Sequence, residues 1–266
     1  MDYASIDAKQ IPGLADLKKP PKTLYAVGQW NQNLFSNCVA VVGSRRMTSY
    51  GRQVVEQIVP QLVMQGKTIV SGFMYGVDQY AHQVCLEHGG KTIAVLGWGI
   101  DQKLKGADKT LAGQIIAHGG ILLSEWEHQT ATLWTFPLRN RLIVGLSQEV
   151  IVVEAAAKSG SLITAEIAFK MKRKLWAVPG PITSIMSEGT NALIAKGKAT
   201  MWTASNTSST SPVVSHPLLK ILKDEPLSPN EIARKTKQSV AQIGAELTML
   251  ALCGQVIERD GKYSLQ

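Results

Sequence analysis

Five stretches of the chain bring small residues together with cations, amides and hydroxyls. They are Gly43-Ser44-Arg45-Arg46, Ser71-Gly72 at the start of SGFMYGVD, Gly97-Trp98-Gly99-Ile100-Asp101, Phe136-Pro137-Leu138-Arg139-Asn140-Arg141 and Lys158-Ser159-Gly160-Ser161. Small residues let backbone N–H groups approach an anion at a helix N-terminus, and neighbouring Arg and Lys supply opposing charge. A guanidinium fork donates two parallel hydrogen bonds to a phosphate. Several forks spread along one edge suit a chain of phosphates better than a single pyrophosphate. A dinucleotide fits badly, because GxGxxG is missing and Ser71 stands where an acidic group would bind the ribose. GxxxxGK[ST] is absent too, which argues against a P-loop hydrolase. No Ser/His/Asp order, metal-ligand cluster or close carboxylate pair stands out, so neither metal nor cofactor is expected.

Elements that could converge these stretches are visible in the hydropathy pattern. Apolar, β-prone runs occur at CVAVV (38–42), TIVS (68–71), TIAVLG (92–97), ILLS (121–124), VIVVE (150–154) and LWAV (175–178). Amphipathic segments lie near 51–64, 78–88, 107–118, 138–146 and 162–172. Short Gly-bounded runs joined by helices predict an α/β fold with a mostly parallel sheet, extended and Rossmann-like, with helices on both faces. Ligands of such sheets bind outside the carboxyl ends of the strands, where the small and basic turns fall.

The 266 residues suffice for one large core plus a small unit. No apolar run approaches the roughly 20 residues a bilayer requires, and MDYASIDAKQ is not a signal peptide, so no membrane association is expected. Cys38, Cys85 and Cys253 show no ligand-like spacing, which fits a reducing cytoplasm. The net charge of +8 suits a polyanionic partner. It is unevenly placed: from His216 onward seven Lys/Arg face six Asp/Glu, leaving 21 against 14 before it. The Ser/Thr-rich stretch TASNTSSTSPVVS reads as a linker. The expected organisation is a short N-terminal extension (1–35), a Rossmann-like domain (36–202), a linker (203–215) and a winged-helix domain (216–266).

The tail carries its own signals. Ser228-Pro229-Asn230-Glu231 and Ser239-Val240-Ala241-Gln242 are capping boxes. Val240, Ile243, Leu247 and Leu250 recur at helical spacing, Gly254 can end that helix, and VIERDGKYSL reads as a hairpin turning at Asp260-Gly261. The recognition helix expected from Ser239 to Cys253 contains no Lys or Arg, which favours protein contact or regulation over groove binding. Elsewhere, Asp78 and His82 read as an acid/base pair or, in preference, as a helix cap and a local hydrogen-bonding group. Lys170, Lys172, Arg173 and Lys174 read as a solvated helix end or a DNA contact. Trp98 and Tyr75 could stack on bases or cover the core.

In order along the chain, VAVVGSR, VSGFMYGVDQYAH, TIAVLGWGID, FPLRNRLIVGLS, VVEAAAKSGSLITAEIA and VPGPI resemble the blocks of the DNA-processing protein A family (DprA, also called Smf). The resemblance spans roughly 21–202. It implies an extended Rossmann-like domain that binds single-stranded DNA without sequence preference. It also implies help in loading the RecA recombinase during natural transformation and recombination. By position, Gly43, Ser44 and Arg45 would contact the DNA backbone, as would Lys158 with Ser159-Gly160-Ser161. Arg139, Asn140 and Arg141 would line or brace the same pocket, and Arg46, Ser71 and Gly72 complete the expected DNA-binding set. The expected partners are single-stranded DNA, RecA and a second copy in a homodimer. The chain departs from the family at Met74-Tyr75, where many members carry Ala-Arg, and in QKLKGADKTL, which lacks the usual Tyr-Pro and Asn.

A non-enzymatic mediator is therefore the expectation. An enzyme is the alternative: SGSLITAE is loosely similar to the PGGxGTxxE block of nucleotide phosphoribohydrolases, with Glu166 as the acid. That block's Gly-Gly pair is incomplete here, and the arginine pattern is left unexplained. A pure interaction scaffold would leave the basic turns without purpose.

Overall fold

A computed structural model describes residues 2–203, 217–222, 225–236, 238–252, 256–259 and 261–265. The chain divides into two compact units, Met1–Ser209 and Thr210–Gln266. The segment read as a linker lies outside the described residues except Thr203, as do Cys253, Gly254 and Asp260.

In the larger unit the strands are β1 (Ala4–Asp7), β2 (Thr23–Val27), β3 (Cys38–Val42), β4 (Thr68–Gly72), β5 (Thr92–Val95), β6 (Ile121–Ser124), β7 (Glu149–Val152), β8 (Lys174–Ala177) and β9 (Thr200–Met201). They form one sheet in the order β1-β2-β6-β5-β4-β3-β7-β8-β9. From β6 to β9 every pairing is parallel, whereas β1–β2 and β2–β6 are antiparallel. The helices are α1 (Ser49–Met64), α2 (Val77–Glu87), α3 (Gly106–Ala117), α4 (Thr135–Leu146), α5 (Gly160–Lys170) and α6 (Glu188–Ala195). β3 and β4 are buried at every position because both sheet faces are covered, which is why they read as unbroken apolar runs rather than alternating ones. On one face Val39, Val41 and Ile69 pack against Val55, Ile58 and Val59 of α1 and Ala81 and Val84 of α2. On the other, Ala40, Val42 and Val95 pack against Leu142, Ile143 and Leu146 of α4 and Ala165 and Ala168 of α5.

The chain runs outward from β3 through β4 and β5 to β6, then returns to β7 on the other side of β3. That reversal makes β3/β7 the topological switch point, the place where an open α/β sheet leaves a crevice. The stretch expected as a short extension contributes β1, β2 and buried Ile11, Leu14 and Leu17 to the sheet edge and core.

In the smaller unit the described elements are α7 (Pro217–Ile221), α8 (Pro229–Thr236), α9 (Val240–Leu252), β10 (Val256–Arg259) and β11 (Lys262–Leu265). β10 and β11 pair antiparallel, and Leu227 bridges to Tyr263. Both capping boxes close: Ser228 N–H donates to Glu231 Oε2 at 2.7 Å, and Ser239 N–H to Gln242 Oε1 at 3.3 Å. Ile243, Leu247 and Leu250 of α9 are buried against Leu218, Leu222 and Ile232. Val240 is 47% exposed, so the helical stripe begins one turn later than the spacing predicts.

Candidate nucleic-acid interface

At the switch point lies an open pocket of about 560 Å³. Its floor is the turn after β3, its walls the first turns of α4 and α5, and its rim the loop before α2. Gly43, Ser44, Arg45, Arg46, Arg139, Asn140, Lys158, Ser159, Gly160 and Ser161 all line it. The remaining candidates do not. Ser71 and Gly72 are buried behind the wall, and Arg141 pairs with Glu125.

The structure sorts the cations by burial. Arg45, Arg46 and Lys158 are exposed, and none has an ion-pair partner among the described residues. The Arg45 guanidinium lies over the Phe136 ring at 4.9 Å and near Tyr75 at 6.0 Å, a stacked geometry that holds the fork while leaving its N–H groups free. Arg139 is buried, 3% exposed. It donates to the Val95 carbonyl and, at 3.2 Å from Nε, to Asn140 Oδ1. Burial pulls its pKa down to about 10, with Asp78 holding it up and Arg45 pushing it lower, so it stays charged at neutral pH. Arg139 thus sends field into the pocket while bracing its wall, and Asn140 Nδ2 reaches the Gly160 carbonyl at 3.3 Å to tie α4 to α5.

Helix termini supply the other half of the potential. α5 begins at the pocket, capped by Ser159, whose Oγ accepts from Ser161 N–H at 3.4 Å. Its positive end and the exposed Lys158 point at the same space. The first helix behaves otherwise. Thr48 caps α1, and buried Glu154, just past β7, accepts from Thr48 N–H at 2.9 Å and Thr48 Oγ1 at 2.5 Å. A carboxylate of the chain itself therefore occupies the helix end that would receive a pyrophosphate in a dinucleotide fold.

Two glycines permit this construction. Gly76 has φ +88° because its α-carbon passes beneath the carbonyls of Ser44 and Arg45, and a Cβ there would lie 2.3 Å from the Ser44 oxygen. At Gly72 a Cβ would lie 2.2 Å from Asp78 Oδ2 and 2.7 Å from Arg139 Nη2, so the small residue lets those two charges approach.

The reading of Asp78 as a helix cap does not describe it, and the His82 ring is bonded to Gly72 and Thr92. The N-cap of α2 is Gly76, with no side-chain cap bond, and Asp78 faces the pocket as its one lining carboxylate. Burial pushes its carboxyl up to about 6, against the pull of Arg139, the Gly43 N–H, Ser71 and Arg45. His82 is fully buried, with Nε2 2.7 Å from the Gly72 carbonyl and Nδ1 2.6 Å from Thr92 Oγ1. Burial lowers its pKa to about 4, so the ring is neutral. A carbonyl cannot donate, hence Nε2 carries the proton to Gly72, while the Thr92 hydroxyl, with one proton to give, stands between Nδ1 and the Ile69 carbonyl at 2.8 Å. His82 pins the end of β4 and is a local hydrogen-bonding group, as expected.

These two shifts oppose each other in stability. Asp78 binds its proton more tightly folded than unfolded, so its ionisation costs stability as pH rises through 4 to 6. His82 binds its proton more tightly unfolded, so stability is lost as pH falls from about 6.5 towards 4. Removing one exposes the other. Asp78→Asn is expected to lose about 2 kcal/mol between pH 7 and pH 5, with the parent losing well under half of that. All six Trp belong to the larger unit, so urea unfolding followed by Trp fluorescence reads it directly. Parallel pH profiles for the two proteins would show that Asp78 is ionised throughout this range.

Glu166, the acid of the hydrolase alternative, is not part of the pocket. It pairs with Lys198 at 2.8 Å and Lys170 at 3.5 Å, and the Lys198 hydrogen bond leads in holding its carboxyl below the ordinary range, opposite to what a catalytic acid needs. Trp98 is half-buried and packs on Phe73 and Phe136, covering the core, whereas Tyr75 is 58% exposed at the rim. Sequence reasoning missed Met186, whose backbone carbonyl accepts from Ala155 N–H at 2.8 Å and whose sulfur accepts from Ser44 Oγ at 3.4 Å. No local signal marks it, since it enters the pocket from a turn that lies beyond β8, away from every basic turn that lines the pocket.

A sequence profile of the DNA recombination-mediator protein A family matches residues 3–211. The chain belongs to this family. A second profile, the DprA winged helix domain, matches residues 203–262, in accord with the capping boxes and hairpin of the smaller unit. The chain is 37% identical over 201 residues to the DNA processing protein DprA of Bacillus subtilis, covering 75% of this chain and 67% of that one. It is 41% identical over 178 residues to Protein Smf of Escherichia coli, covering 66% of this chain and 47% of that one. It therefore spans about half to two thirds of these relatives' lengths. Among solved structures, a DNA processing protein A from Helicobacter pylori, described for its single-stranded DNA binding mode, superposes with a TM-score of 0.68 at 33% identity, covering 77% of this chain and 93% of that one. This member of the DprA family has the extended Rossmann-like sheet and winged-helix unit that its sequence pattern implies. No helix among the described residues is long and apolar enough to cross a membrane.

Proposed function

We propose that this DprA-family chain is a sequence-independent binder of single-stranded DNA and a recombination mediator, acting in the cytoplasm without catalysing a reaction. One observation carries the reading: Arg45, Arg46 and Lys158, without ion-pair partners among the described residues, rim an open pocket, and the neighbouring α1 helix end is already filled by Glu154. Such a site rewards successive phosphates over one buried pyrophosphate. Phosphate contacts position a nucleic acid and carry no sequence information, and Tyr75 beside the fork gives one base a face to stack on without selecting it. Gly43, Ser44 and the Ser159-Gly160-Ser161 turn receive phosphate oxygens. Arg139 and Asn140 hold the wall, Ser71 and Gly72 support it from behind, and Arg141 acts at a distance by clamping α4 to Glu125.

A homodimer would set two such pockets on one strand, and RecA would receive the strand thus held. The surplus of positive charge lies in the larger unit, and α9 carries no Lys or Arg. Residues 1–205 alone are expected to keep single-stranded DNA affinity within about 1 kcal/mol of the full chain, under a tenfold change. Titrating both proteins with one labelled oligonucleotide checks this. A folded fragment binding a hundredfold more weakly would place the winged helix inside the binding site.

A further inference from the structure

A second basic groove lies at the other end of α5. Lys170, Lys172, Arg173, Lys174 and Lys198 line it, with no carboxylate among its lining residues. The pocket sits at the N-terminus of α5 and this groove at its C-terminus, where β8 begins, so the helix separates them by about 16 Å. We propose that the groove is a second binding surface for single-stranded nucleic acid, on the sheet edge opposite the pocket. The proposal rests on the reading of the pocket as a single-stranded DNA site.

The ordinary account of such a cluster is a solvated helix end, with cations favoured by the dipole and neutralised by neighbours. That account covers part of it. Lys170 and Lys198 share Glu166, Lys174 approaches Glu149 at 3.7 Å, and Arg173 pairs with Asp16 at 2.8 Å. Lys172 is left over. It is exposed and has no ion-pair partner among the described residues.

Its backbone is the second observation. Lys172 has φ +55°, the one non-glycine residue in the left-handed region among the described residues. It closes α5 as a Schellman turn, with Arg173 N–H on the Ala168 carbonyl at 3.0 Å and Lys172 N–H on the Phe169 carbonyl at 3.1 Å. Glycine is the residue this position favours, and a lysine here carries conformational strain for a charge the fold does not use. The third observation is Phe169, 46% exposed on the groove wall with Lys198 Nζ 5.3 Å from its ring. An exposed aromatic face among cations is the pairing that holds a single strand, the ring stacking on a base while the ammoniums follow its phosphates.

The test uses the full chain in a background carrying Arg45→Ala and Lys158→Ala, titrated at low salt with a labelled oligothymidylate. Residual binding is expected in that background, and adding Phe169→Ala or Lys172→Gly should weaken it at least fivefold. Lys172→Gly should do so without lowering the melting temperature, since it relieves the strained turn. A 5-iodouracil oligonucleotide should crosslink to the peptide containing Phe169. The inference is overturned if the background binds nothing, or if Phe169→Ala and Lys172→Gly leave residual binding unchanged. If Arg45→Ala and Lys158→Ala alter nothing in the parent, the pocket reading fails instead, and the two groove variants in the parent protein still decide this one.

Discussion

Arg45→Ala and Lys158→Ala are each expected to weaken binding to every single-stranded sequence alike, by roughly tenfold, and together by roughly a hundredfold. Each should also flatten the dependence of log affinity on log salt by about 0.7, the signature of one lost phosphate contact on a single strand. The size follows from their surroundings. Both side chains are exposed and neither leaves a buried partner behind, so the fold is untouched and the whole loss appears in binding. Arg45→Lys should fall between parent and alanine, because it keeps the charge while losing the planar fork and its stacking on Phe136 at 4.9 Å. Two alanine variants that bound oligonucleotides like the parent would dismiss the pocket as the site.

The largest expected effect on stability belongs to a residue that touches no ligand. Glu154→Ala should destabilise the larger unit by about 3 to 5 kcal/mol, read as a lower urea midpoint in Trp fluorescence. Glu154 is 2% exposed, and its carboxylate takes both the N–H and the hydroxyl proton of Thr48. Removing it strands two donors and opens a void at the start of α1. Glu154→Gln keeps the shape and can set its amide oxygen on the Thr48 N–H and its N–H₂ on the Thr48 hydroxyl, which accepts as well as donates, but it loses the carboxylate's charge, so about half the loss should remain. Because the same bonds anchor the turn that carries Ser44, Arg45 and Arg46, oligonucleotide affinity should fall in both variants. A Glu154→Ala protein within 1 kcal/mol of the parent would mean that Thr48 finds other partners.

Much of the fold was legible because its cause is local. Strands covered on both faces must be apolar throughout, so CVAVV and TIVS stand out, and Gly or Ser closes each run where the chain turns towards a helix. The tail's boxes were equally plain, since a capping box is contained in four residues. β1 and β2 gave no such signal. ASID is largely exposed and TLYAV follows a Lys/Pro-rich stretch, so their strand character comes from pairing with β6 at the sheet edge.

By itself the sequence determined an α/β sheet with basic, small-residue turns at its carboxyl edge, a separate winged-helix unit, and a chemistry suited to successive phosphates. Tertiary structure decided which of those residues share a space. Arg139, Asn140 and Arg141 are consecutive on a helix, where 100° separates neighbours, so they cannot all face one pocket. Burial of Leu142, Ile143 and Leu146 sets the rotation of α4, leaving Arg139 and Asn140 on the wall and Arg141 on Glu125. Glu154 on α1, Met186 on Ser44 and Asp78 beside Gly72 arise from contacts between distant segments, which packing and burial select and no spacing along the chain encodes.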